Sequence, residues 1–279
     1  MVERHVLGIS GGKDSAALAV YMRLHHPELD IQYFFTDTGK ELKEVHEFLG
    51  KLEGFLGRPI LRLNPHRDFD FWLREYGHFL PSPKTRWCTR QLKLLPFRSW
   101  VKPWLDAGDT VHSYVAIRAD EHHREGYDSP DEKLVVHLPL REAGIDHAGV
   151  LELLEGAGIG LPKYYEWRSR SGCTFCFFQQ KIEWVRLKQR HPEAFEEAKR
   201  YEKNALDHGS PFTWSAHESL TELEQPARME AIEREHKKRM ERALSRVRPN
   251  PLRPSGYQAE GLEMEETFTT SKACLVCHK

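Results

Sequence analysis

The sequence predicts an α/β protein: a doubly wound, mainly parallel five-stranded sheet with a helical C-terminal extension. Three features carry that expectation. A short apolar run, His5-Val6-Leu7-Gly8-Ile9, passes through a glycine-bearing turn straight into Ala16-Ala17-Leu18-Ala19-Val20-Tyr21-Met22, the order of a strand, a tight turn and a helix. Strand-length apolar runs then alternate with helical stretches through the first half, which implies βαβ units with right-handed crossovers. Beyond about residue 140 the strand signals stop and helical spacing takes over.

In chain order, the second strand covers 30–36 and ends at Asp37-Thr38-Gly39. A helix over 41–55 follows, with Leu42, Val45, Phe48, Leu49 and Leu52 near helical spacing. Residues 59–63, 110–117 and 133–138 read as the third, fourth and fifth strands. A capped helix is expected over 146–154, before Gly156, Gly158 and Gly160 break the chain. After Cys176 the pattern is helical into the 240s, punctuated by Pro192, Pro211 and Pro226. The stretch from Arg228 to Val247 is highly charged, either a solvated helix or a basic surface for a polyanion. The expected organisation is a nucleotide-binding α/β domain over 1–145, a helical region over 146–247, and a linker with a C-terminal tail over 248–279.

The chain's 279 residues suffice for a full α/β core plus a helical appendage. A formal net charge of −1 leaves no global basic field that would advertise nucleic acid. Charged residues make up 30% of the chain, and no apolar run reaches membrane-spanning length. No leader-like apolar segment opens the chain, so a cytoplasmic protein without a membrane partner is expected. Five cysteines, an odd number, argue against a disulfide framework. Their spacing is uneven: Cys88 stands alone, while Cys173 and Cys176 form one C-x-x-C and Cys274 and Cys277 another.

The segment Ser10-Gly11-Gly12-Lys13-Asp14-Ser15 has the chemistry of a phosphate cradle. Gly11 and Gly12 let backbone approach an anion, the following helix turns its free N–H groups toward it, and Lys13 adds a charge. It lacks the G-x-x-x-x-G-K-[ST] spacing of the Walker A loop. Asp37, Thr38 and Gly39 end the second strand where an adenosine or its magnesium would sit. Lys84-Thr85-Arg86-Trp87-Cys88-Thr89-Arg90-Gln91-Leu92-Lys93 groups four cations around one cysteine, which should favour the thiolate. Ile117-Arg118-Ala119-Asp120-Glu121 leaves the fourth strand with an arginine suited to a phosphate or sulfate. Gly172-Cys173-Thr174-Phe175-Cys176 has the form of a metal knuckle. Two ligand sets are open: the two C-x-x-C pairs around a structural Zn2+, or Cys88 with Cys173, Cys176 and a tail cysteine such as Cys277 around an iron–sulfur cluster.

Taken together, from about Val6 to Phe178, these motifs resemble the phosphoadenosine phosphosulfate (PAPS) reductase family within the PP-loop ATP pyrophosphatases. The resemblance implies a nucleotide α-hydrolase fold, with Ser10, Gly11, Gly12, Lys13, Asp14 and Ser15 on phosphates. It also places Asp37, Thr38, Gly39, Arg90 and Lys93 by the nucleotide, and implies a [4Fe–4S] cluster at Cys88, Cys173 and Cys176. True sulfonucleotide reductases carry an E-C-G-x-H-like tail, whereas this chain reads Ala273-Cys274-Leu275-Val276-Cys277-His278. Their phosphate loop is usually degraded, whereas this one keeps Lys13 and Asp14, which points to ATP as substrate.

The expected activity is therefore cleavage of ATP·Mg2+ to AMP and pyrophosphate, adenylating an acceptor for sulfur transfer. Lys13, Asp14, Ser15, Asp37 and Arg118 are the expected catalytic residues. The acceptor classes open to it include nucleic acid, as in DNA phosphorothioation or tRNA thiolation, and the sulfur donor is unspecified. The alternatives are a PAPS or adenylyl-sulfate reductase, and a nucleotide-sensing subunit of a larger complex. A homodimer is equally open.

Overall fold

The computed structural model describes residues 1–64, 67–125, 129, 131–210, 212–215 and 217–246. The expected linker, and the tail with Cys274 and Cys277, lie outside the described residues. Five strands form one all-parallel sheet: β1 (Glu3–Gly8), β2 (Ile31–Phe35), β3 (Ile60–Arg62), β4 (Thr110–Tyr114) and β5 (Leu134–His137), in the order β3-β2-β1-β4-β5. β1 therefore sits at the centre, with Leu7 opposite Tyr33 on one side and Tyr114 on the other. The order reverses between β1 and β4, and ligands in such sheets bind beyond the strand ends at that switch point.

Alternation along the strands feeds two cores, which is why helices cover both faces. Leu7, Tyr33 and Phe35 face α1 (Lys13–His25), α2 (Lys43–Leu56) and, further out, α7 (His147–Gly156). Val6, Phe34, Val111 and Leu134 face the opposite way, onto Phe97 and Val101. α1 is lined by Ala16, Ala17, Leu18, Ala19 and Val20, all fully buried; the small side chains let it lie close between the sheet and α7.

The β3–β4 crossover contains more structure than the sequence predicts. It holds α3 (Phe69–Glu75), then α4 (Trp87–Thr89), a π-helical turn over Arg90–Leu94, and α5 (Leu95–Asp106). The ring of Trp87 is fully buried, stacks on Tyr76 and donates from Nε1 to the carbonyl of Phe79 at 3.1 Å, which fixes the neighbouring Cys88. After β5 come α6 (Pro139–Glu142), α7, a 3-10 turn (Lys163–Glu166), α8 (Lys181–Arg190), α9 (Pro192–Asp207), α10 (Leu220–Leu223) and α11 (Pro226–Arg246). Trp184, Phe195 and Trp214 continue the core of the sheet's α1 face into this helical region. Glu202 is buried there, and its two carboxylate oxygens accept from the backbone N–H groups of Trp214 and Leu220, so neither of them is orphaned. Among the described residues no helix is long and apolar enough to cross a membrane.

Three adjacent strands also bring histidines together. His5 stacks on His112 at 4.9 Å and shares a hydrogen bond with the Tyr114 hydroxyl, while His112 Nδ1 lies 2.9 Å from His137 Nε2. Burial, and then the neighbouring His112, pushes both His5 and His137 below the ordinary histidine value, although Glu3, Asp30 and Glu142 pull the other way. Their folded-state values lie under the unfolded ones, so the unfolded chain takes up protons first as the pH falls through about 6.5. Stability should be level above that pH and decline below it. Thermal unfolding at pH 7.5 and pH 5.5 should show a loss of about 2–4 °C at the lower pH, smaller in His137→Gln.

Candidate functional site

The loop after β1 is built by its own hydroxyls. Ser15 Oγ accepts from the Ser10 N–H at 3.1 Å and donates to the Gly12 carbonyl at 3.1 Å, while Ser10 Oγ accepts from the Gly12 N–H at 3.3 Å. Gly11 has φ +76°, and a Cβ there would stand 2.6 Å from Val45 Cγ1. A Cβ on Gly12 would stand 2.9 Å from Ser171 Oγ. Both glycines are therefore needed, the first for backbone conformation and the second for the approach of another segment.

Beyond the strand ends, the gap between β1 and β4 is spanned by charge. Lys13 Nζ lies 2.9 and 3.1 Å from the two oxygens of Asp14, and Arg118 Nη1 donates to Asp14 Oδ1 at 3.1 Å. Arg118 is 2% exposed, and its Nε and Nη2 also donate to Asp120 at 2.9 and 3.2 Å. Burial works against the Asp14 charge, but Lys13 and then Arg118 outweigh it and hold the carboxyl well below the usual carboxylate range. Burial likewise opposes the charge on Lys13, and Asp14 more than offsets it. The sequence suggests Arg118 as a phosphate arm; the structure places its guanidinium against the two carboxylates of Asp14 and Asp120.

A second loop, 36–41, leaves β2 beside this network. Asp37 Oδ1 accepts from the Gly39 N–H at 2.9 Å, a local turn, while Thr38 Oγ1 donates to Glu41 at 2.7 Å and lies 3.3 Å from Cys173 Sγ. Glu41 forms an isolated antiparallel bridge with Cys173, and the Thr174 N–H donates to the Lys40 carbonyl at 2.7 Å. The C-x-x-C knuckle is thus pinned to the end of β2. Asp37, Glu41 and His46 bring one ligand atom each within 4.8 Å of one another, an oxygen-rich set suited to a divalent cation.

The structure gathers Cys88, Cys173 and Cys176 near Lys93, which favours the ionised form of all three. The four cations around Cys88 do not make it a thiolate. Burial, then Cys173 and Cys176, pushes its thiol up to about 12. Arg86 instead lies over the Phe178 ring at 5.3 Å, and Arg90 is exposed. Burial and then Glu41 also push Cys173 up to about 12. Cys176 differs: against its burial, Arg170 and Arg168 hold its thiol below the ordinary value, and Arg170 Nη2 lies 3.7 Å from its sulfur. Lys93 reaches the cysteines from the π-helical turn, a local widening of the helix that often accompanies functional sites.

Sequence reasoning missed the segment that joins the two halves of the site. Tyr164 donates to the Gly11 carbonyl at 2.5 Å, Tyr165 accepts from the Lys13 N–H at 3.2 Å, and Ser171 Oγ donates to Ser10 Oγ at 3.4 Å. Arg168, on the same segment, donates to the carbonyls of Gly172 and Cys173. The one signal available was a run of aromatic residues, Tyr164, Tyr165 and Trp167, just ahead of the knuckle.

Residues 4–125, which hold the loop, the 36–41 turn, Cys88 and Arg118, match the family model of the phosphoadenosine phosphosulfate reductase domain. The match takes in less than half of the chain. The knuckle at Cys173 and Cys176 lies beyond the match. Two uncharacterized proteins of Methanocaldococcus jannaschii are similar, one 30% identical over 203 residues, the other 25% over 191. These alignments cover 68% and 67% of this chain but only 40% and 44% of the relatives, so the chain spans less than half their length. Among solved structures, a PAPS reductase from Candida auris aligns at TM-score 0.44 and 12% identity, over 62% of this chain and 81% of that one. The U34-tRNA thiolase NcsA from Methanococcus maripaludis, with its [4Fe–4S] cluster, aligns at TM-score 0.42 and 16% identity, over 80% of each chain.

Within residues 4–125 the tightest steric demand at a glycine is at Gly11. Gly11→Ala should destabilise the protein by about 2–4 kcal/mol, from the left-handed backbone and the displaced Val45. Chemical denaturation would read this as a lowered midpoint; an unchanged midpoint would show that the loop is not held as described.

Proposed function

We propose that this chain is a PP-loop ATP pyrophosphatase that adenylates an acceptor in preparation for sulfur transfer. The observation that supports it best is the intact loop, with Lys13 and Asp14 at the β1/β4 switch point and Cys173 of the knuckle meeting Thr38 at the end of the neighbouring strand β2. In this reading the ATP phosphates lie along loop 10–15, with the N–H groups at the start of α1 and Lys13 facing them. Lys13 neutralises charge that develops on departing pyrophosphate, and Asp14, turned by Arg118, faces the magnesium of the nucleotide. The acceptor oxygen attacks the α-phosphorus, the bond to pyrophosphate breaks, and the acceptor carries AMP. The acceptor class that fits the family resemblance is a nucleic acid, DNA or tRNA.

The donor set suits a metal–thiolate group. Three cysteines share a pocket with Lys93, Arg168 and Arg170, and that positive surround compensates an anionic assembly of thiolates. Cys88, Cys173 and Cys176 would hold a [4Fe–4S] cluster, with a fourth position left to a tail cysteine such as Cys277 or to an outside ligand. Such a cluster would supply a sulfide-bearing centre for the sulfur step. A second reading, reduction of a sulfonucleotide, is supported by the domain match itself.

Pyrophosphate release from ATP·Mg2+ tests the assignment. Lys13→Ala should lower it by at least about 100-fold. It should leave the melting temperature within a few degrees, because Arg118 still partners Asp14. Undiminished release would remove Lys13 from the mechanism. Sulfite released from PAPS, with no pyrophosphate from ATP, would favour the reductase reading.

A further inference from the structure

The first backbone donor of α1, the Lys13 N–H, is the group a phosphate oxygen needs at a PP-loop. In this protein that donor is already taken, at 3.2 Å, by the hydroxyl of Tyr165. Gly12 makes room for the segment that carries the tyrosine: a Cβ there would stand 2.9 Å from Ser171 Oγ, too close, and 3.5 Å from the Tyr165 hydroxyl, an ordinary contact. Its neighbour Tyr164 is fully buried, anchored on the Gly11 carbonyl, and stacked on Tyr165 with ring centroids 4.9 Å apart. Tyr165 itself is half-buried. The pair therefore differs in role: Tyr164 is a fixed pivot, and Tyr165 is a removable arm.

We propose that Tyr165 is a built-in competitor for the phosphate cradle, displaced when nucleotide binds, and that its release loosens the segment carrying the cysteine knuckle. This rests on the nucleotide reading of loop 10–15 given above. The exchange is favourable because a phosphate oxygen is a charged acceptor, and hydrogen bonds to charged acceptors are roughly twice as strong as those to a neutral phenol. No bond other than hydrogen bonds is made or broken.

The consequence runs along a short contiguous path. Tyr165 lies three residues before Arg168, whose guanidinium donates to the carbonyls of Gly172 and Cys173. Ser171, on the same segment, touches Ser10. Segment 163–173 thus has ties at both ends, to the phosphate loop and to the knuckle, and breaking the Tyr165 tie removes one of its anchors on the loop. Linkage makes the effect reciprocal: whatever detaches Tyr165 raises nucleotide affinity, and nucleotide detaches Tyr165.

The test compares full-length protein with Tyr165→Phe, using ATP·Mg2+ in calorimetry and hydrogen exchange of peptides covering 163–176. Tyr165→Phe deletes the competing oxygen and keeps the ring. ATP should bind about three- to tenfold tighter to the variant, the worth of one ordinary hydrogen bond. ATP should speed exchange in 163–168 of the parent protein. The variant should show fast exchange before ATP is added and no further gain afterwards. Equal or weaker ATP binding by the variant would overturn the proposal while leaving the nucleotide reading intact, because Tyr165 would then be idle or a ligand contact. Failure of the parent protein to bind ATP would overturn the nucleotide reading first, and this one with it. If Tyr165→Phe fails to fold, Tyr165→Leu carries the same expectation, since it also removes the oxygen.

Discussion

Asp14 sits where β1 and β4 diverge, with Lys13 on one side and Arg118 on the other, and much of the site depends on that arrangement. A carboxylate this enclosed needs compensation, because an unpaired charge in such a setting is strongly destabilising. Arg118 provides it from the loop after β4 and is itself held by Asp120. The result ties the central strand to its neighbour above the sheet, at the point where the strand order reverses. It also leaves Lys13 balanced internally by Asp14, so in the proposed function an incoming polyphosphate would share that lysine with the carboxylate.

The same economy of position governs the cysteines. The knuckle is 135 residues from Thr38 in sequence, yet the two meet at the end of β2. The meeting is made by backbone: the Glu41–Cys173 bridge and the Thr174 N–H on the Lys40 carbonyl. Backbone ties of this kind are indifferent to side-chain chemistry, so the knuckle's position does not depend on its sulfurs alone. Electrostatics then separates them. Glu41 sits against Cys173, Arg170 and Arg168 against Cys176, and Lys93 reaches all three, so one pocket holds thiols of very different acidity.

Much of this architecture was legible from local signals. The sequence around Ser10 to Ser15 announced the central strand, the tight turn and the helix after it, because glycine spacing and an alanine-rich helix face are properties of adjacent residues. The five strands were placed to within a few residues for the same reason. What failed to appear was whatever depends on distant partners. Nothing in the sequence around Arg118 reveals that Asp14 will stand beside it. Cys88 looked activated by the cations flanking it, but Arg86 turns to Phe178 and Arg90 to solvent, so proximity in sequence did not become proximity in space. The Tyr164–Tyr165 contact with the loop spans about 150 residues and has no local signature. The helices of the β3–β4 crossover are short and interrupted, and only Leu92, Phe97 and Val101 mark their buried side over residues 90–106.

The proposed function needs a nucleotide loop and a metal–thiolate centre close together beyond the strand ends. Its most direct test is the iron, acid-labile sulfide and zinc content of protein purified without oxygen, alongside Cys88→Ser. About four iron and four sulfide per chain, falling sharply in the variant, is the expected result. One zinc with no iron, unchanged in Cys88→Ser, would contradict it, because the three cysteines the fold brings together would then not be the ones that bind the metal.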